Sequence, residues 1–302
     1  MEPWLGLYLP DDLFSAPLKG NSYTHLLKRR IQILSFYVAW GSERKRADLL
    51  GIQRVLKGGF IPMITWEPWH LPHDLPEGIR PEEQSDFSLS SILNGNYDDY
   101  LWNWANDLKE ISTPIFFRPM HEMNGNWYPW CGRVNGNDPK QYIETWCYLR
   151  SIFKKAGNER LIWVWSPYVH SVPDEPGNEM GRYYPGEGEV DWLALDGYNW
   201  GKSQQWSRWK SFREIFEEGY KNLAQLSSEK PIMIAEIGCA EEGGDKDQWI
   251  EEAFNALTFR FPKIKALIWF NIKKECDWRM DSSPRSLWTF KMGLKKWSLL
   301  VP

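Results

Sequence analysis

Eight short apolar runs rich in β-branched and aromatic residues recur along the 302-residue chain, and helix-length amphipathic stretches separate most of them. The runs are LGLYL near Leu5, ILSFYVAW ending at Trp40, FIPMITW ending at Trp66, PIFFRPM ending at Met120, LIWVW ending at Trp165, VDWLALDGY ending at Tyr198, PIMIAEIG ending at Gly238 and ALIWFNI ending at Ile272. Near-continuous apolar strands suit a sheet covered on both faces, and strand–helix alternation suits parallel pairing through helical crossovers. Eight such units predict an α/β fold, a closed (β/α)8 TIM barrel, with residues 1–302 forming a single domain. A doubly wound dinucleotide-binding sheet is disfavoured, because no glycine-rich turn follows the first run.

The intervening segments carry helix signals. RADLLGIQRVLKG, YDDYLWNWANDLKEI, DPKQYIETWCYLRSIFKKAG and WKSFREIFEEGYKNLAQL are amphipathic, and Asp138 followed by Pro139 reads as an N-cap and first helical position. The first and fifth units are the least regular. After the fifth run, YVHSVPDEPGNEMGRYYPGEGEV reads as loop with little helix, and loops of that length over a barrel mouth are often functional. No Gly/Ser tract, Pro-rich run or charge block divides the chain.

The net charge of −4 gives no electrostatic reason to expect nucleic acid or an anionic membrane as partner, so a neutral or cationic ligand is expected. No run is long enough to span a bilayer, and MEPWLGLYLPDD lacks the basic and apolar segments of a secretory signal. A monomer is expected. The four cysteines, Cys131, Cys147, Cys239 and Cys276, lack the paired spacing of a zinc ribbon or redox motif and read as free thiols. One number is unusual, the 20 tryptophans beside 13 tyrosines and 14 phenylalanines. Aromatic faces pack against the C–H faces of pyranose rings, while indole N–H and phenol O–H groups bond hydroxyls; most such rings nevertheless fill cores.

In a barrel of this kind the chemistry sits where the strands end. Two glutamates stand there, Glu122 in FFRPMHEMNGNWYPW and Glu236 in PIMIAEIG. Paired carboxylates are what glycosidic hydrolysis requires, one to protonate the leaving oxygen and one to attack the sugar. Counting by twos puts Ile232, Ile234 and Glu236 on one strand face, and Phe116, Arg118, Met120 and Glu122 on another. If both rows face inward, Arg118 lies beneath Glu122 and needs a carboxylate partner, for which Asp196 and Glu67 are the candidates. A structural salt bridge is the competing reading for either glutamate alone.

HEMNGNWYPW together with the downstream AEIG resembles glycoside hydrolase family 26, of the clan of retaining (β/α)8 glycosidases. The resemblance implies that Glu122 is the catalytic acid/base and Glu236 the nucleophile, with His121 as the family's histidine before the acid. It also implies sugar-facing roles for Trp127, Tyr198 and Trp269, and strand-end position adds Trp66 and Glu67 as substrate-binding candidates. No cofactor is expected. For retention the two carboxylates should stand roughly 5–5.5 Å apart. The family's commonest activity makes β-1,4-mannan the first expected substrate, with mixed-linkage β-1,3-1,4-glucan next and β-1,3-xylan third; a polysaccharide substrate suggests export. A carbohydrate-binding barrel without catalysis is the alternative from another class.

Competing motifs are weaker. His121-Glu122 would need a second histidine at position 125 to form a zincin motif, and that position is Gly125. Glu67, His70 and His73 are metal ligands by type, yet Pro68 and Pro72 break the helix that would align them, so no metal is expected.

Overall fold

The computed structural model describes residues 2–41 and 45–300. Eight strands are hydrogen-bonded in sequence order and the last closes on the first, all in parallel, giving the closed (β/α)8 barrel that the eight runs predict. The strands are β1 (Trp4–Tyr8), β2 (Ile33–Ala39), β3 (Ile61–Glu67), β4 (Ile115–Pro119), β5 (Leu161–Trp165), β6 (Trp192–Asn199), β7 (Ile232–Cys239) and β8 (Ile264–Phe270). The helices are α1 (Ala16–Leu27), α2 (Leu49–Lys57), α3 (Leu89–Leu93), α4 (Asp98–Lys109), α5 (Pro139–Ala156), α6 (Phe212–Leu226), α7 (Lys246–Phe259) and α8 (Pro284–Leu300).

Local chemistry explains several boundaries. Asp138 caps α5 through a reciprocal capping box with Gln141, Pro139 opens the helix, and Gly157 ends it in the left-handed region at φ 88°. Ser211 and Glu214 make the same box at α6. Between β5 and β6 only two short 3-10 turns form, Met180–Tyr183 and Glu187–Glu189, as the irregular fifth segment suggested. The first unit is more regular than its sequence implied, because α1 runs for 12 residues between β1 and β2.

Alternation along the strands sorts the core into two zones. Ile33, Met63, Phe116, Val164, Ala194, Met233, Ala235, Ala266 and Ile268 fill the lower lumen with apolar side chains. The residues between them point outward into the larger cluster shared with the helices, including Ile64, Trp66, Phe117, Leu195, Ile234, Leu267 and Trp269. Above the apolar plug the lumen turns polar, with Thr65, Glu67, Arg118, Ser166, Asp196 and Glu236 all buried.

Two irregularities decide what reaches that polar layer, and both depart from simple counting. On β7, Ile232 and Ile234 face the helices while Met233 and Ala235 fill the lumen, so counting alone would send Glu236 outward. The β6–β7 register jumps from Leu195 opposite Ile234 to Asp196 opposite Glu236, leaving Ala235 as an extra residue. This bulge turns Glu236 back into the lumen. On β4 the strand stops at Pro119, and Met120 joins the outer cluster instead of continuing the inward row.

Candidate active site

Glu122 is delivered by a strained turn. Both Met120 (φ 49°) and Glu122 (φ 54°) occupy the left-handed region, which costs of order 1–3 kcal/mol per non-glycine residue and persists only when neighbours hold it. Those neighbours are present. The Met120 N–H donates to the Trp66 carbonyl (3.1 Å), Glu122 N–H to the Ser166 carbonyl (2.7 Å), and Gly125 N–H to the Glu122 carbonyl (2.9 Å). The Tyr142 hydroxyl and Trp130 indole donate to the carbonyls of Met120 (3.1 Å) and His121 (2.7 Å). The glycine at 125 is required by close approach, since a Cβ there would lie 2.6 Å from the Trp127 ring. Trp127 is thereby free to fold back, and its indole N–H donates to Glu122 Oε2 at 2.7 Å.

Across the mouth, Glu236 sits in a denser network. Arg118, fully buried, donates to Glu236 Oε1 at 2.5 Å, to both oxygens of Asp196 at 2.9 and 2.8 Å, and to Thr65 Oγ1 at 3.0 and 2.8 Å. Asp196, one of the two partners expected for Arg118, also accepts from the Ser166 hydroxyl at 2.9 Å. The Tyr198 hydroxyl donates to Glu236 Oε2, and the Tyr37 hydroxyl also reaches this carboxylate. His121 Nε2 lies 3.6 Å from Glu236 Oε1.

The electrostatic outcome differs between the two glutamates. Burial, then the negative charges of Glu236 and Asp196, push the Glu122 carboxyl well above the usual range, with Trp127 and Arg118 pulling back less strongly. Burial also acts upward on Glu236, but the Arg118 guanidinium, then the neighbouring His121 and the hydrogen bonds from Tyr198 and Tyr37, outweigh it and the carboxyl is lowered. Burial and the adjacent Arg118 hold His121 down at about 3, so at neutral pH the imidazole is uncharged. The cation that sustains Glu236 is therefore Arg118. Glu67 is raised to about 8 by burial and by Glu236, while the Trp69 indole, 3.3 Å from Glu67 Oε2, opposes the shift.

Among the residues expected at the site, Glu122, Glu236, His121, Trp127, Tyr198 and Glu67 converge on the polar mouth. Trp66 and Trp269 do not. Alternation on β3 sends Thr65 and Glu67 inward, so Trp66 packs outside the sheet against Phe117, Trp104 and Tyr100, its indole bonding the Tyr100 hydroxyl. Likewise Trp269 packs outward on Phe290 and Trp249 and donates to the Trp278 carbonyl. The tryptophans that do stand beside Tyr198 are Trp278, from the loop after β8, with ring centroids 5.0 Å apart, and Trp200 at 6.3 Å. Tyr37 was missed as well, although Ser35 and Tyr37, two apart in an apolar run, could have marked a lumen row.

The one group of metal-ligating residue types among the described residues is His121, Asp196 and Glu236, with donor atoms within 4.8 Å of one another. Arg118 donates to both of its carboxylates, so a guanidinium already balances their charge. His70 and His73 do not join Glu67 in such a group.

Fold and site together define a class: parallel barrels that carry an unequal pair of buried carboxylates at the strand ends. The chain belongs to glycosyl hydrolase family 26, whose family model matches residues 82–252, more than half of the sequence and inclusive of both glutamates. It is 36% identical over 283 residues to Endoglucanase H of Acetivibrio thermocellus, covering 91% of this chain and 28% of that protein. It is 30% identical over 230 residues to the mannan endo-1,4-beta-mannosidase of Bacillus subtilis strain 168, covering 70% and 56% respectively. The chain thus spans less than two thirds of either relative. Among solved structures, a family 26 beta-mannanase from Bacteroides ovatus superposes with a TM-score of 0.65 at 17% identity, covering 99% of this chain and 90% of that one, which bears on the fold alone.

Proposed function

We propose that this chain is a retaining endo-β-glycanase that cleaves by double displacement, with Glu122 as acid/base and Glu236 as nucleophile. One observation carries the reading: two equally buried carboxyls are shifted in opposite directions, Glu122 well above its usual range by burial and the charge of Glu236, and Glu236 below it beside the Arg118 guanidinium. In the first step a Glu236 oxygen attacks the anomeric carbon while the Glu122 proton passes to the departing glycosidic oxygen. Glu122, now a carboxylate, then takes a proton from water as that water attacks the same carbon and releases Glu236. Arg118 and Tyr198 hold the nucleophile ionised and fix its direction; Trp127 fixes that of the acid. A barrel that only binds sugar has no use for this division of charge.

For substrate we propose a β-glucan ahead of β-mannan, reversing the order that the family's commonest activity suggested. The support is the relative named an endoglucanase, matched over 91% of the chain. Mannan stays as the second reading because several other relatives are named mannan endo-1,4-beta-mannosidases. The test is incubation with barley glucan, lichenan, glucomannan and galactomannan, reading new reducing ends and the anomer formed first by NMR. Release from the two glucans with the β-anomer first is the expected result. Cleavage confined to galactomannan would overturn the substrate, and the α-anomer first would overturn retention.

A further inference from the structure

Three tryptophans outside the core invite explanation: Trp102 (36% exposed), Trp288 (63%) and Trp206 (72%). Trp102 and Trp288 lie on the outer helices α4 and α8 and, among the described residues, join no ring contact that leads to the carboxylate pair. Trp206 differs because it is the solvent end of a series of rings that leads back to both carboxylates, through Trp200 and Tyr198 to Glu236 and through Tyr168 and Trp127 to Glu122. Trp127, which holds Glu122, packs edge-on against Tyr168 at 5.1 Å. The Tyr168 phenol meets the Trp200 indole. Trp206 then lies against Trp200 at 5.2 Å, and Trp278 supports Trp200 from behind at 4.8 Å.

The loop that carries Trp206 is fixed even though its indole is not buried. Gly201 N–H and Lys210 N–H both donate to Asn199 Oδ1 at 3.2 Å, and Lys202 N–H donates to the Glu242 carbonyl at 2.8 Å. The Ser207 hydroxyl bonds the carbonyls of Gly201 (2.9 Å) and Gln204 (3.1 Å). An apolar ring held out to solvent on a pinned loop loses the stabilisation that burial would give, and it is preorganised to receive a ligand.

We propose that Trp206 is a distal sugar-binding platform at the barrel mouth, stacking a β-linked pyranose remote from the scission point. This rests on the glycanase reading and names a subsite within it. Stacking of a sugar face on one indole is expected to contribute about 3- to 10-fold in affinity.

The test compares wild type with Trp206→Ala on barley glucan and on 2,4-dinitrophenyl β-cellobioside, whose two sugars fill only the positions next to the scission point; galactomannan and the mannobioside replace them if mannan is the polymer cleaved. The ratio of polymer to aryl-glycoside kcat/KM should fall about 3- to 10-fold, mainly through KM, and Trp206→Tyr should recover much of it. Equal losses on both substrates, or no change in the ratio, would overturn the platform. Retardation in native gels containing the polymer reads binding without catalysis, and unchanged mobility of Trp206→Ala would overturn it too. A wild type that binds the polymer but cleaves no substrate would instead remove the glycanase reading.

Discussion

The Glu122 and Glu236 ends of the cleft contain the same side chain at the same exposure, 6% in each case, yet one carboxyl is raised and the other lowered. Burial therefore does not separate them; partners do. Glu236 receives a guanidinium and two phenols, whereas Glu122 receives a single indole and faces the negative charge of Glu236. The lesson is that a buried carboxylate pair can be polarised by placing one cation asymmetrically. Arg118 is bonded to Glu236 and Asp196 and to neither oxygen of Glu122.

The sharpest way to break this comparison is to neutralise the charged member. Glu236→Gln keeps the shape but removes the proposed nucleophile, and loss of about 10⁴-fold or more in kcat is expected, as for other covalent catalysts. No substrate should escape that loss, because every glycosyl transfer passes through the same carboxylate. Turnover within tenfold of wild type on an activated aryl glycoside would show that Glu236 is not the attacking group.

Glu122→Gln should cost less and should discriminate between substrates. General acid catalysis contributes about 10²- to 10⁴-fold, so polymer hydrolysis should fall within that range. A dinitrophenolate leaves without a proton, so formation of the glycosyl-enzyme from the aryl glycoside should be largely spared, and its breakdown, which needs the base, should become limiting. A burst of dinitrophenol followed by slow turnover is the expected trace. Equal loss on both substrates in the first step would assign Glu122 some other role.

How much of this asymmetry could be read from the sequence depends on whether a residue lies in a regular stretch. The eight runs led directly to the barrel, because apolar continuity and helix-length spacing are averaged over many residues. The strand-end rule also brought Glu122, Glu236 and Tyr198 to the right layer. It failed for Trp66 and Trp269, since a strand end selects position along the axis and says nothing about which face the side chain takes. Counting by twos placed Arg118 correctly and placed Glu236 correctly for the wrong reason, because the Ala235 bulge cancels an error of one. Left-handed turns at Met120 and Glu122 leave no pattern in residue type. Tyr37 and Trp278 reach the site through contacts between segments distant in sequence, which no local period encodes.

The smallest effects are the most specific test of the asymmetry, because they move the two limbs of the pH profile without removing either carboxylate. Tyr198 donates a hydrogen bond that favours ionised Glu236. Tyr198→Phe should raise the pKa of Glu236, and since the nucleophile must be charged, the acid limb of kcat/KM should move to higher pH. Trp127 likewise donates to Glu122 and lowers its otherwise raised pKa. Trp127→Phe should raise that pKa further, and since the acid must be protonated, the alkaline limb should move upward and the active range should widen. A single hydrogen bond contributes about 1 kcal/mol, more to a charged group, so each shift should be on the order of one pH unit, the larger at Glu236. The two variants thus shift opposite limbs in the same direction. If Tyr198→Phe moved the alkaline limb and Trp127→Phe the acid limb, the assignment of acid and nucleophile would be exchanged, and with it the explanation of why Arg118 stands on one side of the cleft.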